Sequence, residues 1–277
     1  MKILITGASG MLGYDLQETL KNHELILFNS KTLDITNKQI VNEKIGKIEP
    51  DIVINAAAYT NVDACEKNYD DAYKVNALGP KNLAKVCKEL DIPLVHISTD
   101  YVFNGEKNTP LKEEDEIGPK TAYGKTKLEG EIFIQKTCNK YFIIRTAWLY
   151  GCNGNNFVKT MLELAKNNNE INVVNDQVGS PTYTFDLAIA ISKIIETDDY
   201  GSYHLTNSGS CSWYEFSKEI FKLSNINIKV NPVSTEEFPR PAPRPKYSVL
   251  SDEKWINKGF KPLRNYKEAL KDYLSKC

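Results

Sequence analysis

Lys2-Ile-Leu-Ile-Thr-Gly7-Ala-Ser-Gly10-Met-Leu-Gly13 is the stretch whose reading decides the fold of this chain. A β-rich run passes directly into three glycines spaced GxxGxxG, and Leu12, Leu16 and Leu20 then recur at helical spacing. Strand, glycine turn, helix is the order in which backbone amides and the positive end of a helix can hold a pyrophosphate. The spacing differs from the commoner GxGxxG, and glycines so placed would also serve merely to turn a strand tightly into a helix. Their position between strand and helix points to a dinucleotide, with Gly7, Gly10, Met11, Leu12 and Gly13 as its cradle.

Outward from this turn the same rhythm repeats. Glu24 to Phe28, Asp51 to Asn55, Pro93 to Ile97 and Tyr141 to Arg145 read as strands, and the segments between them are helical, as in Leu83, Val86, Cys87 and Leu90. Several strands are apolar throughout, which fits burial on both faces of a parallel sheet. The expected fold is α/β: a Rossmann-type doubly wound parallel sheet with a smaller C-terminal substrate-binding region. Residues 1–150, joined by about 180–200, would form the dinucleotide-binding domain, and residues 151–277 mainly the substrate-binding region. Beyond Arg145 the pattern predicts a helix near Asn156 to Lys166, a strand at Ile171 to Val174 and a helix near Thr184 to Glu196. Ser212 opens a further helix, with Glu215 completing a capping box. From Glu237 to Lys246 the repeated prolines forbid helix and central strand alike. That segment is either a flexible linker or a stiff loop presenting Arg240 and Arg244 to a phosphate-bearing ligand; the second reading is preferred, since tandem prolines order a loop at little entropic cost.

Composition narrows the functions available. A 277-residue chain with 41% hydrophobic and 26% charged residues is ordinary for a globular protein, and its formal net charge of -1 offers no general attraction to nucleic acid or acidic lipid. Neither nucleic acid nor membrane is expected as a partner. No run is long and apolar enough to span a bilayer, the N-terminus reads as a strand rather than a leader, and the expected setting is cytoplasmic. The six cysteines form no CxxC pair and read as reduced thiols, while His23, His96 and His204 lie far apart, with His96 in an apolar run that suits a core histidine. No metal site is expected.

The chain holds two YxxxK pairs, Tyr123/Lys127 and Tyr214/Lys218. The second follows the capped Ser212, where an ordinary helix face accounts for it. The first follows the fourth strand, whose end carries Ser98-Thr99-Asp100, and ligands of doubly wound sheets bind at the carboxyl ends of strands. At i and i+4 the phenol and ammonium share one helix face, where the charge is expected to draw Tyr123 below its usual pKa of about 10. Tyr123 would then protonate a carbonyl oxygen that gathers charge as hydride arrives, with Thr99 steadying that oxygen. Lys127 would also hold the cofactor's nicotinamide ribose. At the end of the second strand, Asn29-Ser30-Lys31 offers no carboxylate to repel a 2'-phosphate, so NADPH is expected to serve at least as well as NADH. Asp34 and Ile35 suit an adenine contact, and Ala58, Tyr59 and Thr60 lie where the middle of the cofactor should pass.

Gly-Ala-Ser-Gly-Met-Leu-Gly13, Asn55 to Asp63, Ser98 to Phe103 and Tyr123 to Lys127, in this order, resemble the extended short-chain dehydrogenase/reductases. Arg145 to Gly151, Gly154 to Phe157, Asp176 to Thr182, Tyr203 to Leu205 and the Arg-Pro at Arg244 extend the likeness over nearly the whole length, within the dTDP-4-dehydrorhamnose reductase family. The resemblance implies NADPH- or NADH-dependent reduction of the 4-keto group of dTDP-6-deoxy-L-lyxo-4-hexulose, with a nucleotide sugar as substrate. It assigns Thr99, Tyr123 and Lys127 as the catalytic set, places Asp100 and Trp148 against the sugar, and lines the cofactor with Gly10, Met11, Leu12, Asp34, Ile35, Ala58, Tyr59, Thr60 and Ile97. Asn29, where relatives often carry an acidic residue, and Met11, where some carry a polar one, depart from the pattern. Alternatives are another epimerase, dehydratase or reductase of nucleotide sugars, or a non-catalytic dinucleotide-binding regulatory subunit. Dehydratases usually carry Asp-Glu after the threonine, whereas Tyr101 follows Asp100 here, which favours reduction; the complete catalytic set argues against the regulatory subunit. Oligomeric state stays open, a homodimer being one option.

Overall fold

The computed structural model describes all residues 1–277. Five strands predicted from sequence form β1 (Lys2–Thr6), β2 (Glu24–Phe28), β3 (Ile52–Asn55), β4 (Leu94–Thr99) and β5 (Tyr141–Thr146). A sixth strand, Gly201–His204, went unpredicted: it is four residues long and begins with Gly-Ser, so it carries almost no strand signal of its own. The sheet runs Gly201–His204, β5, β4, β3, β1, β2, and every pairing in it is parallel. The chain winds outward from β1 to β2, then crosses back to β3, so the order reverses between β1 and β3 and leaves a crevice beyond the strands' carboxyl ends.

Strand alternation explains why these runs are apolar without interruption. Ile3, Ile5, Ile54, Phe142 and Ile144 face one way, onto a core completed by Leu12 and Leu16 of α1 (Met11–Thr19) and Leu187 and Ile191 of the helix Thr184–Ile194. Leu4, Val53 and Ile143 face the other way, onto α2 (Lys38–Ile48), α5 (Gly79–Glu89) and α6 (Ala122–Thr137), through Val41, Ile45, Leu83 and Ile134. Each fully buried side chain of this kind contributes roughly 1.5–3 kcal/mol, and among the polar residues these strands bury, Thr6, Asn55, His96, Ser98 and Arg145 all have hydrogen-bond partners. Two short helices, α3 (Val62–Lys67) and α4 (Tyr69–Tyr73), and a π-helical turn at Lys74–Leu78 join β3 to α5.

A separate core gathers Tyr150, Tyr183, Phe216 and Tyr273 under the helices Phe157–Asn167, Trp213–Leu223 and Tyr266–Lys276. The capping box at Ser212 forms as predicted, with the Glu215 amide donating to the Ser212 hydroxyl at 3.1 Å and the Ser212 amide to Glu215 at 2.8 Å. The predicted strand at Ile171 pairs as Glu170–Val174 with Lys229–Val233 in a two-stranded ribbon, whose edge accommodates Pro232. Residues 237–246 contain neither helix nor strand. No helix is long and apolar enough to cross a membrane.

The expectation of six reduced thiols is corrected. Cys152 and Cys277, 125 residues apart in sequence, bring their Cα atoms within 5.3 Å and form a disulfide, while Cys65, Cys87, Cys138 and Cys211 are buried and free. Nothing in local spacing could reveal a pair that only the folding of the C-terminal helix back onto the Gly151 loop creates.

Candidate active site

A cleft of about 720 Å³ occupies the crevice at the sheet's reversal point, within the size range of small-molecule sites. Its floor is the turn after β1. Gly7 has φ +70°, and a Cβ there would lie 2.6 Å from the Ala56 backbone, so this turn excludes any side chain. The Gly10 amide donates to the Gly7 carbonyl at 2.9 Å, and Gly10 then opens α1 with no side-chain cap and no acidic residue in the first turn. The first-turn amides, at Met11 and Leu12, therefore face the cleft with anion-binding capacity. Gly13 is not on the cleft wall; it is buried beneath the turn, where a Cβ would collide with the Gly7 carbonyl.

The other predicted cofactor residues divide in the same way. Asn29, Ser30, Asp34 and Ile35 line the cleft, as do Ala58, Tyr59, Thr60 and Ile97. Lys31 is exposed and off the wall. Asn29 closes the turn after β2, its side-chain oxygen accepting from the Lys31 and Thr32 amides at 3.0 and 3.2 Å. Asn76, a residue that sequence reasoning passed over, fixes the loop after β3 by accepting from the Tyr59 amide at 2.9 Å and donating to the Tyr59 carbonyl at 3.1 Å.

Thr99 ends β4, two residues beyond the predicted strand, and its hydroxyl donates to Asp100 at 2.9 Å. Tyr123 and Lys127 stand on α6, whose N-cap Thr121 accepts from the Gly124 amide at 2.9 Å. All four residues line the cleft. Tyr101 meets the Tyr123 ring edge to face, 5.6 Å between centroids. Asp100 is buried, and its Oδ2 has no protein partner; burial raises its carboxyl to about 6 against the pull of hydrogen bonds.

One electrostatic expectation fails. The Tyr123 phenol lies above its ordinary pKa, because desolvation raises it and the Asp100 charge adds to the rise, with only the Thr99 hydroxyl opposing. Lys127 does not lower it, since the lysine nitrogen is fastened elsewhere: it donates to the Ile97 carbonyl at 2.5 Å and lies 3.3 Å from Nε2 of His96. Burial draws Lys127 itself down to about 8, against the pull of Glu131. A phenol held high stays protonated at neutral pH.

Helix α6 is seated by a buried ion pair that no local pattern reveals. Glu131 accepts from Arg145 of β5 at 2.7 Å and from the Ser98 hydroxyl of β4. A charged helix residue bridged to two strands at once fixes both the rotation and the height of the Tyr123 turn.

Above the cleft Trp148, at φ +50°, stacks face to face on Trp213, with centroids 3.4 Å apart and planes 4° from parallel. Gly179 allows this, because a Cβ there would lie 2.4 Å from the Trp148 ring. Arg244 is outside the main cleft. Its guanidinium lies 3.0 Å from Asp63, and it lines a neighbouring cavity of about 530 Å³ and the hollow beside Trp148 and Trp213. Tyr101 borders all three spaces. Arg240, by contrast, packs over the Phe238 ring at 4.8 Å and lines none of them. Tyr214 and Lys218 also lie off the cleft, with the ammonium 5.2 Å over the ring, as an ordinary helix face requires.

The sequence profile described as the RmlD substrate binding domain matches residues 1–277. The spore coat polysaccharide biosynthesis protein SpsK of Bacillus subtilis is 46% identical over 99% of this chain and 96% of its own length. Among solved structures, a dTDP-4-dehydrorhamnose reductase of Clostridium acetobutylicum is 53% identical with a TM-score of 0.98, covering 99% of both chains. Another, from Bacillus anthracis in complex with NADP, is 46% identical with a TM-score of 0.98, covering 100% of this chain and 99% of its own.

Proposed function

The chain belongs to the family described as the RmlD substrate binding domain, and from that premise we propose that it reduces the 4-keto group of dTDP-4-dehydrorhamnose to give dTDP-L-rhamnose, with NADPH or NADH as reductant. The observation that carries this reading is the meeting of Thr99, Tyr123 and Lys127 in the same cleft as the uncapped glycine turn. The residues present fit a dinucleotide: the first-turn amides of α1 suit its pyrophosphate, and the backbone at Gly7 leaves the space that a Cβ would fill.

When bound, the nicotinamide supplies hydride to the carbonyl carbon. The work of the protein is at the oxygen. Tyr123, kept protonated by its surroundings, donates to the oxygen as charge develops there, and an alkoxide is the stronger base, so the transfer runs downhill. The Thr99 hydroxyl leaves its bond to Asp100 for the same oxygen, and Asp100 Oδ2, lacking a protein partner, accepts from a sugar hydroxyl. Trp148 covers the sugar, and Arg244, at the mouth, takes the nucleotide's phosphates in place of Asp63. Residues 1–150, with about 180–200, handle the cofactor and residues 151–277 mainly the sugar nucleotide. A cytoplasmic setting goes with these small, charged, soluble substrates.

The test is to supply dTDP-4-keto-6-deoxyglucose, a 3,5-epimerase and NADPH, then follow the loss of reduced-nicotinamide absorbance and identify the sugar. Stoichiometric oxidation with formation of dTDP-L-rhamnose is expected; no oxidation with any keto sugar overturns the proposal.

A further inference from the structure

Behind Lys127 a chain of buried polar groups crosses three strands and has no part in the mechanism above. Thr6 of β1 donates to Oδ1 of Asn55 on β3 at 2.7 Å, and the Ala57 amide donates to the same oxygen at 3.2 Å. Nδ2 of Asn55 lies 2.9 Å from Nδ1 of His96 on β4, and Nε2 of His96 lies 3.3 Å from Nζ of Lys127. Thr6, Asn55, His96 and Lys127 are each no more than 1% exposed, so no bulk water repairs a mismatch among them.

Donor polarity along this chain has one consistent solution. A backbone amide can only donate, so Ala57 fixes Oδ1 as the acceptor and leaves Nδ2 of Asn55 as a donor toward His96. Nδ1 of His96 must then present its lone pair. The ring is fully buried, and desolvation holds it uncharged, well below its ordinary pKa. A neutral imidazole with a bare Nδ1 carries its proton on Nε2, the nitrogen that faces Lys127. An ammonium there meets N–H with N–H, whereas an uncharged amine accepts from Nε2 while still donating to the Ile97 carbonyl. Shifting the tautomer only moves the clash to Asn55.

We propose that His96 is a positioning residue for Lys127: Asn55 holds it as the Nε2–H tautomer, and its N–H favours the uncharged amine and sets the proton affinity of the lysine. The groups around Lys127 are His96 from β4 and Tyr123 and Glu131 from its own helix, and Glu131 is already paired with Arg145 of β5. Its kinetic consequence rests on the reading of Lys127 as part of the reductase site; the tautomer does not.

Two measurements test it. Long-range ¹H–¹⁵N correlation spectra of the whole protein should show His96 with its proton on Nε2 and a bare Nδ1; a proton on Nδ1, or an imidazolium, overturns the proposal. In His96→Gln the amide oxygen can occupy the Nε2 position and accept from the ammonium. The alkaline limb of kcat/KM, set by Lys127, should therefore move up by about one unit, the scale of a single hydrogen bond. A limb that stays in place or moves down, with reduced rate, marks a merely structural role and overturns the proposal. Should this variant not fold, the tautomer decides. Failure of the wild type to reduce any keto sugar would refute the proposed function and leave the spectroscopic result standing.

Discussion

The indole rings of Trp148 and Trp213 lie 3.4 Å apart and within 4° of parallel, which fixes a tryptophan of left-handed backbone conformation against the first residue of the helix Trp213–Leu223. Gly179 is what gives the stack its room, since a Cβ there would lie 2.4 Å from the Trp148 ring. In Gly179→Val the ring must leave its place over the cleft. The KM for the sugar nucleotide should rise roughly tenfold, the scale of one lost aromatic contact, while the dissociation constant for NADPH, measured by fluorescence titration, stays unchanged. An unchanged KM would remove Trp148 from the substrate wall.

Tyr123→Phe deletes the proton donor and little else, because the ring keeps its edge contact with Tyr101. Turnover should fall by about 10²–10⁴-fold, the contribution of a positioned general acid, with cofactor affinity retained. Wild-type turnover in that variant would mean that another group protonates the oxygen.

Lys31 is exposed beside the turn that Asn29 closes and follows Ser30 of the cleft wall, so a 2'-phosphate contact there is open to test. Lys31→Glu should raise the KM for NADPH by roughly tenfold, more at low ionic strength, and leave that for NADH nearly unaltered. Equal changes for the two cofactors would show that Lys31 does not read the phosphate.

Asp100 supplies a pH dependence of stability. Its folded pKa, about 6, lies above the unfolded value near 3.8, so the folded state holds the extra proton between them. Stability from this group is full below the lower value and is lost as pH rises through the window, by ~3 kcal/mol for a shift of about two units. Denaturant melts of wild type and Asp100→Asn across pH 4 to 6 should diverge with that slope. Parallel curves would mean that Asp100 ionises as freely in the fold as in the unfolded chain.

Five strands of the sheet and the glycine turn were legible because both follow from local pattern: the uninterrupted apolar run Ile3 to Ile5 and the spacing of Leu12, Leu16 and Leu20 act within a few residues of themselves. Thr99, Tyr123 and Lys127 were legible because strand end and helix face are also local properties. The sequence alone thus determined the fold class and most of the residues named for the cleft, though not Gly13, Lys31 or Arg244, which lie off its wall. Tertiary structure decided what surrounds them. Glu131 finds Arg145, Cys152 finds Cys277, Trp148 finds Trp213 and Lys127 finds His96 only when distant segments close on one another. The charge state of Tyr123 fell on the tertiary side too, because desolvation depends on everything packed around a group, whereas spacing reports only its neighbours along one helix.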